Sequence, residues 1–148
     1  MMDKKIVGIT CSTFDLLHTG HIIMLEECKR HCDYLICALQ NDPSVDRPEK
    51  NKPIQNIVER QAQLAAIKYV DEILVYNTEE ELLDILAMYH IDVKIMGEEY
   101  RDKDFTGREL CKQRDIDFYF NKRDHRFSTS NLRKRVEENT LQSKWFVV

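Results

Sequence analysis

The sequence lacks the features that mark fibrous, disordered, secreted or membrane-spanning chains. It has 148 residues with only 4 glycines, 3 prolines and 1 tryptophan, which excludes collagen-like and low-complexity chains. No apolar run approaches the roughly 18 residues that a membrane-spanning helix needs, and the uncharged run after Lys5 is too short and too polar for a signal peptide. These absences predict a soluble, cytoplasmic protein whose hydrophobic residues, 43% of the chain, form a packed core.

The sequence also lacks any CxxC pair. Its five cysteines are Cys11, Cys28, Cys32, Cys37 and Cys111. An odd number of cysteines in a chain without a secretion signal predicts reduced, mostly buried thiols. Cys28 and Cys32 lie one helical turn apart on an apolar face, and their spacing from His18 and His21 matches no common zinc pattern. The sequence therefore predicts no metal site built from protein side chains.

Charge is unevenly distributed along the chain. The formal net charge is −4, but residues 71–104 carry a net charge of −8 and residues 112–135 a net charge of +5. The basic segment is the only part of the chain that would attract a polyanion. The acidic middle and the net negative charge argue against nucleic-acid binding. The aromatic run 118–120 beside basic residues is interpreted as a buried strand, not as a base-stacking surface.

Hydrophobic spacing alternates between strand-like and helical along the whole chain. Short apolar runs predict strands at residues 6–11, 34–39, 72–76, 93–96 and 117–120. Helices are predicted over residues 21–31, 57–68 and 78–88, and from about residue 130 onward. Thr78 and Glu81 are predicted to form a capping box at the start of the third. This alternation predicts a single-domain, doubly wound α/β fold with a parallel, Rossmann-like sheet of about five strands. The domain takes in residues 1–148, with its core at about 5–138 and an apolar tail at 139–148.

The segment after the first predicted strand is the first candidate phosphate site. Neither GxGxxG nor GxxxxGK[ST] occurs there; the chain instead reads Ser12-Thr13-Phe14-Asp15-Leu16-Leu17-His18-Thr19-Gly20-His21. Gly20 would let a ligand approach the backbone, and the free amide groups of the helix start would favour an anion. His18 and His21 would donate to phosphate oxygens. The alternative is two surface histidines without a ligand.

The start of the last predicted helix is the second candidate site. Its early turns carry Arg133, Lys134 and Arg135, although cations at a helix amino end oppose the helix dipole at a cost of about 0.3–1 kcal/mol each. Hydroxyl groups at residues 128–130 offer caps at the same place. A bound anion would be attracted by both the basic side chains and the helix start. The alternative is a solvated basic helix without a ligand. Two such helix starts suit one polyphosphate, with Lys50 or Lys52 adding mobile charge.

Four segments, taken in order, resemble a known family. They are Thr13-Phe14-Asp15 with His18-Thr19-Gly20-His21, Tyr69-Val70-Asp71-Glu72-Ile73, Val93-Lys94-Ile95-Met96-Gly97, and Arg123-Asp124-His125-Arg126-Phe127-Ser128-Thr129-Ser130. The resemblance runs over about residues 5–136, which is nearly the whole chain. This pattern resembles the HxGH nucleotidyltransferases, within them the cytidylyltransferases, and most of all the glycerol-3-phosphate cytidylyltransferases.

The resemblance implies a fold, a reaction and partners. The fold is the Rossmann-like fold of the HUP and nucleotidyltransferase type, and relatives are commonly homodimers. The reaction moves CMP from CTP to a phosphorylated small alcohol, in the first place glycerol 3-phosphate, and gives a CDP-alcohol and pyrophosphate without a covalent enzyme intermediate. Mg²⁺ would be bound mainly through the nucleotide phosphates. The alternatives are ATP, another acceptor (phosphoethanolamine, phosphocholine or a sugar phosphate), or a nucleotide-binding protein without catalysis.

The resemblance also implies roles for individual residues. The catalytic residues would be His18, His21, Lys50 and Arg123. The nucleotide-binding residues would be Thr13, Phe14, Gly20, Lys52, Glu98, Arg126, Ser128, Thr129 and Ser130. The acceptor-binding residues would be Asp15, Arg60 and Lys68. Three positions depart from the family pattern, because Ser12 and Arg126 stand where glycine is usual and Lys68 where relatives carry arginine. These departures leave both the acceptor and the base open.

Overall fold

The computed structural model describes residues 4–122 and 127–143. The strands are β1 (Val7–Ser12), β2 (Tyr34–Gln40), β3 (Glu72–Tyr76), β4 (Val93–Gly97) and β5 (Asp117–Asn121). The helices are α1 (Thr19–Arg30), α2 (Ile57–Ala65), α3 (Glu79–Met88), α4 (Arg108–Gln113) and α5 (Thr129–Ser143). Short 3-10 turns occupy Pro43–Val45 and Glu98–Tyr100. Within these two ranges, no helix has the length and apolar character that a membrane span requires.

The strands form one parallel sheet in the order β3-β2-β1-β4-β5. The chain builds outward from β1 in one direction through β2 and β3, and then in the other direction through β4 and β5. The order reverses between β1 and β4, which is the place where doubly wound folds bind ligands. The predicted doubly wound α/β fold with five strands is confirmed.

Apolar side chains cover both faces of the sheet. One core cluster joins α1 and α2 to the sheet through Leu25, Cys28 and Leu64, and the other joins α3 and α4 to it through Leu86 and Cys111. Helix starts are fixed by side chains at the predicted caps. The hydroxyl of Thr78 accepts the N–H of Glu81, for example, and the carboxylate of Glu81 accepts the N–H of Thr78 in return.

The two central strands separate toward their carboxyl ends. β1 and β2 stay paired from Val7–Tyr34 to Ser12–Leu39, whereas β1 and β4 are paired only at Gly8–Val93 and Ile9–Lys94. Beyond Ile9 and Lys94 the two strands diverge. A crevice therefore opens over the middle of the sheet, at the edge where the chemistry-bearing loops emerge.

The cysteines are free thiols, and all except the half-buried Cys11 are buried. Burial raises the pKa of the Cys28 thiol to about 12 and raises that of Cys37 as well. Such thiols stay protonated at neutral pH and are inert. The prediction of reduced, mostly buried cysteines is confirmed.

Several element boundaries differ from the sequence prediction. α4 was not predicted, because its six residues are too few to show a helical period. α2 ends at Ala65, so Lys68 does not lie in its last turn. α5 runs to Ser143, past the predicted end of the core at residue 138. Residues 144–148 of the predicted tail lie outside the described residues.

Candidate active site

A cleft of about 910 Å³ lies over the crevice between β1 and β4. The starts of both α1 and α5 line it, through His18, Gly20 and His21 on one side and residues 128–130 on the other. In the described part of the lining, six Lys and Arg side chains face four Asp and Glu side chains, although the whole chain carries a net charge of −4. The prediction that the two helix starts open onto one site is confirmed.

The start of α1 is built by its two histidines. His18 is the N-cap residue, and its Nδ1 accepts the N–H of Gly20 at 3.0 Å. The Nδ1 of His21 accepts the N–H of His18 at 3.1 Å, so the pair forms a reciprocal capping box with ring centroids 4.0 Å apart. Because Nδ1 accepts in both rings, a neutral imidazole carries its proton on Nε2. Nε2–H is therefore the donor that each ring offers.

Thr129 and Ser128 fix the start of α5. The hydroxyl of Ser128 accepts the N–H of Asn131 at 3.0 Å, which caps the helix. The hydroxyl of Thr129 donates to the backbone carbonyl of Asp15 at 3.2 Å. This bond joins the start of α5 to the loop that leads into α1.

The Asp15 carboxylate connects three segments of the chain. It accepts the N–H groups of Ile54 and Gln55, both at 2.9 Å, and it forms an ion pair with Arg133 of α5 at 2.9 Å. Burial alone would raise the pKa of this carboxyl, but the two backbone bonds and Arg133 outweigh it and hold the pKa below its usual range. Asp15 lines the cleft with both oxygens engaged by protein donors. Asp15 thus has a structural role, and its predicted part in acceptor binding stays a prediction.

Arg60 is likewise structural, which corrects its predicted role as an acceptor ligand. Its side chain is buried, with 2% exposed, and lies outside the cleft lining. The guanidinium donates to four backbone carbonyls, those of Gln55 (3.0 Å), Thr13 (3.0 Å), Gln40 (2.6 Å) and Asn41. It therefore holds together the chain segments that leave the carboxyl ends of β1 and β2.

Phe14 lies beneath the cleft and does not line it, which corrects its prediction as a nucleotide contact. Its backbone adopts a positive φ of 48°, and its ring is buried in the core on the α1 face. The ring centroid lies 5.9 Å from that of His21. Phe14 therefore packs near the His21 ring from the buried side. Thr13, by contrast, lines the cleft as predicted, as does Ser12, whose hydroxyl accepts the Phe14 N–H at 3.3 Å.

The other predicted site residues divide between the cleft and the rest of the surface. Lys50 and Lys52 are exposed and both line the cleft. Lys68 and Glu98 do not line it: Lys68 is exposed beyond the end of α2 with its ammonium 5.2 Å from the Tyr69 ring, and Glu98 is exposed at the start of a 3-10 turn. Their predicted roles are not supported. Arg123 and Arg126 lie outside the described residues.

Sequence reasoning missed one group of cleft residues. These are Lys94 of β4, Phe105 before α4, and the linked side chains of Gln40, Arg47 and Glu79. The available signal was Lys94, because a lysine inside an otherwise apolar strand is rare unless it has a partner.

The chain was compared with known proteins. The family model described as cytidylyltransferase-like matches residues 9–135. The bifunctional protein HldE of Campylobacter jejuni is 34% identical over 138 residues, which cover 92% of this chain and 28% of HldE. HldE of Gluconacetobacter diazotrophicus is 34% identical over 110 residues, or 72% of this chain and 22% of HldE. The chain thus spans about a quarter of the length of these relatives.

A search of solved structures found the same fold. The lipopolysaccharide core biosynthesis protein of Thermoplasma volcanium superposes with a TM-score of 0.60 at 22% identity, covering 80% of this chain and 96% of that one. A protein of unknown function from Archaeoglobus fulgidus gives a TM-score of 0.53 at 14% identity, over 80% and 89% of the two chains.

Asp15→Asn tests the role of the Asp15 carboxylate. An amide cannot accept from both backbone N–H groups and Arg133 at once, so we expect the free energy of unfolding to fall by about 1–3 kcal/mol at pH 7. The folded pKa of Asp15 is lowered, so its stabilisation is present above the unfolded value of about 3.9 and is lost as the pH falls through the lower folded value. The difference between variant and wild type should therefore shrink under acid conditions. Urea denaturation of both proteins at pH 7 and under acid conditions measures this difference in the free energy of unfolding.

The exposed Asp84 of α3 supplies the matched control, since Asp84→Asn should change stability little at either pH. Equal stability of Asp15→Asn and wild type at pH 7 would show that the three segments do not depend on this carboxylate.

Proposed function

The chain belongs to the cytidylyltransferase-like family of nucleotidyltransferases, and we propose that it transfers a nucleotidyl group to the phosphate of a small phosphorylated compound. An oxygen of the acceptor phosphate attacks the α-phosphorus of a nucleoside triphosphate. The bond from that phosphorus to the bridging oxygen breaks, and pyrophosphate leaves. CTP and glycerol 3-phosphate are the substrate pair that the sequence resemblance implies.

The observation that carries the proposal is the meeting of two helix starts in one cleft. The Thr129 hydroxyl lies 3.2 Å from the Asp15 carbonyl, so the start of α5 is bonded to the loop preceding α1. Each helix start presents N–H groups and the positive end of a helix dipole. Because both starts line the same cleft, we expect one triphosphate to contact both. The β- and γ-phosphates would lie on residues 128–130, and Arg123 and Arg126 stay predicted ligands of the same phosphates.

The histidines supply donors where charge develops. With Nδ1 engaged in the helix cap, the Nε2–H groups of His18 and His21 would stabilise the oxygens of the α-phosphate as the acceptor attacks. Gly20, buried between them, would let those oxygens approach the backbone. Lys50 and Lys52 are exposed on the loop, so their long side chains could follow the charge as it moves to pyrophosphate.

A divalent cation would enter with the nucleotide. Among the described residues, no three His, Cys, Asp or Glu side chains come together in a way that could hold a metal ion. The donor set that remains for Mg²⁺ is the triphosphate oxygens and water, which this hard cation prefers. The ion would neutralise phosphate charge during the transfer.

A second substrate pair is ATP with a sugar phosphate. The two sequence relatives reported above are HldE proteins, and each is matched over most of this chain. The identity of the nucleotide base and the identity of the acceptor are therefore tested separately. Both pairs use the same cleft and the same bond-breaking step.

Pyrophosphate release tests the function directly. The purified chain is incubated with Mg²⁺, each of four nucleoside triphosphates and a panel of phosphorylated alcohols and sugars. We expect pyrophosphate only when nucleotide, metal and the correct acceptor are present together, and we expect CTP with glycerol 3-phosphate to be active. Turnover with ATP and a sugar phosphate alone would select the second pair, and no turnover across the panel would contradict the proposal.

His18→Asn separates catalysis from helix capping. Asparagine is a good N-cap residue and can accept the Gly20 N–H, so the variant should keep its thermal stability. It lacks the imidazole donor, so kcat should fall by about 10²–10³ while nucleotide affinity changes far less. Calorimetry of nucleotide binding and steady-state kinetics measure the two effects.

His31→Asn is the matched control, because His31 caps the other end of α1 and lies outside the cleft lining. A His18→Asn variant with wild-type turnover would show that His18 only builds the helix. A wild-type chain that binds nucleotide without any turnover would instead be a nucleotide-binding protein.

A further inference from the structure

Lys94 is a buried cation at the base of the cleft. It is the last residue of β4 that pairs with β1, so it lies where the two central strands begin to diverge. Its side chain is only 7% exposed and lines the cleft. Side chains alternate along a strand, and its neighbour Ile95 belongs to the core on the α1 face. Lys94 therefore points to the opposite face, which α3 and α4 cover.

The ammonium group of Lys94 has an aromatic contact but no oxygen partner. It lies 4.6 Å from the centroid of the Phe105 ring. No carboxylate, carbonyl or hydroxyl within residues 4–122 and 127–143 forms an ion pair or hydrogen bond with it. A buried ammonium ion is normally paired with an oxygen, because an aromatic ring offsets only part of the loss of water.

A second cation shares the same ring. The guanidinium carbon of Arg108 lies 4.5 Å from the Phe105 centroid. Arg108 also donates to the carbonyls of Tyr100, Arg101 and Lys103, at 3.1, 3.2 and 2.6 Å, so it is held by the protein. Two cations around one ring raise the local positive potential. An oxygen-bearing ligand would supply the contact that Lys94 lacks.

The polar side chains near Lys94 are already paired with one another. Arg47 forms an ion pair with Glu79 at 3.0 Å, and the Gln40 amide donates to the same carboxylate at 3.3 Å. Glu79 is thus engaged by two partners and forms no ion pair with Lys94. Among these cleft residues, Lys94 is the cation that has no oxygen partner within the described part of the chain.

The cleft has two sides that differ in character. The side along α1 is lined by Ile23, Met24 and Ile95, whose apolar surfaces suit the faces of a base. The other side, which we call the Lys94 lobe, is lined by Cys11, Tyr76, Leu82, Lys94 and Phe105. With the triphosphate along the helix starts and the base beside α1, the Lys94 lobe is left for the acceptor.

We propose that Lys94 is a specificity-determining residue for the acceptor, and that it binds a hydroxyl or carboxylate oxygen at the end of the acceptor remote from the reacting phosphate. The inference rests on the proposed function and narrows its substrate class. A cationic tail, such as that of phosphocholine or phosphoethanolamine, would meet Lys94 without a counter-ion and is disfavoured. The acceptor class is therefore an oxygen-rich phosphate ester, a phosphorylated polyol, sugar or hydroxy acid.

Lys94→Met tests this assignment, because methionine has a similar length and no charge. The acceptors are glycerol 3-phosphate, glucose 1-phosphate and 3-phosphoglycerate, with phosphocholine and propyl phosphate as cationic and apolar tails. In wild type we expect at least one oxygen-tailed acceptor to bind at least about tenfold more tightly than phosphocholine and propyl phosphate. Lys94→Met should abolish that preference and leave the Kd of the nucleotide unchanged. Lys112→Met, which removes an exposed lysine of α4, should behave as wild type.

Calorimetric titration of the five acceptors keeps this test separate from turnover. Loss of the preference in Lys94→Met, with its melting temperature retained, supports the assignment even if no substrate pair reacts. A variant that binds all five as wild type does overturns it, as does weaker nucleotide binding with unchanged acceptor affinity. Comparing the losses for glycerol 3-phosphate and 3-phosphoglycerate tells a hydroxyl partner from a carboxylate partner.

Discussion

The site depends on the bonds that Asp15 makes to two other parts of the chain, residues 54–55 and the start of α5. Its carboxylate holds the N–H groups of Ile54 and Gln55 and the guanidinium of Arg133, and its carbonyl accepts the Thr129 hydroxyl. These bonds fix the end of the loop that carries Lys50 and Lys52, and the start of α5, against the loop before α1. The bonds to Thr129 and Arg133 bring segments that are more than 100 residues apart in the sequence onto one cleft. Arg60 repeats the arrangement with opposite charge, because one guanidinium binds four backbone carbonyls around the ends of β1 and β2.

The histidines show how one residue can serve both fold and chemistry. The spacing of His18 and His21 is the spacing of a capping box, so Nδ1 of each ring completes the helix start. The same bonds fix which nitrogen carries the proton. The helix start thus presents its own backbone N–H groups and two oriented ring donors to an anion. Divergence of β1 from β4 beyond Ile9 and Lys94 provides the space in which that anion can lie.

Much of this could be predicted from the sequence, because the signals are local. The alternation of short apolar runs with helical spacing gave the strand and helix order, and Thr78 with Glu81 marked a helix start that the structure confirms. The resemblance carried by Thr13-Phe14-Asp15 and the HxGH segment is confirmed at the level of the family. Part of the resemblance is structural: Asp71 of the second motif accepts the Leu35 N–H at 2.8 Å and pairs with Lys29.

The direction in which a side chain points could not be predicted. Phe14 and Leu16 have positive φ angles, which are uncommon for such residues and invisible in the sequence, and the turn directs Phe14 into the core. The position of Arg60 in the sequence resembles that of an acceptor ligand, yet its guanidinium donates to the backbone carbonyls of four residues, three of which are distant in the sequence. The sequence predicts Lys94 as part of an apolar strand. The pairing of β4 with β1 shows that it lies where these two strands begin to diverge.

The starts of α1 and α5 are inferred to hold the same triphosphate. A crystal structure of the chain with a non-hydrolysable nucleoside triphosphate analogue and Mg²⁺ tests it most directly. We predict phosphate oxygens within hydrogen-bond distance both of the α1 start, at Gly20 or His21, and of the α5 start, at Thr129 or Ser130. Phosphates that contact one helix start alone, with the other left to solvent, would contradict the account.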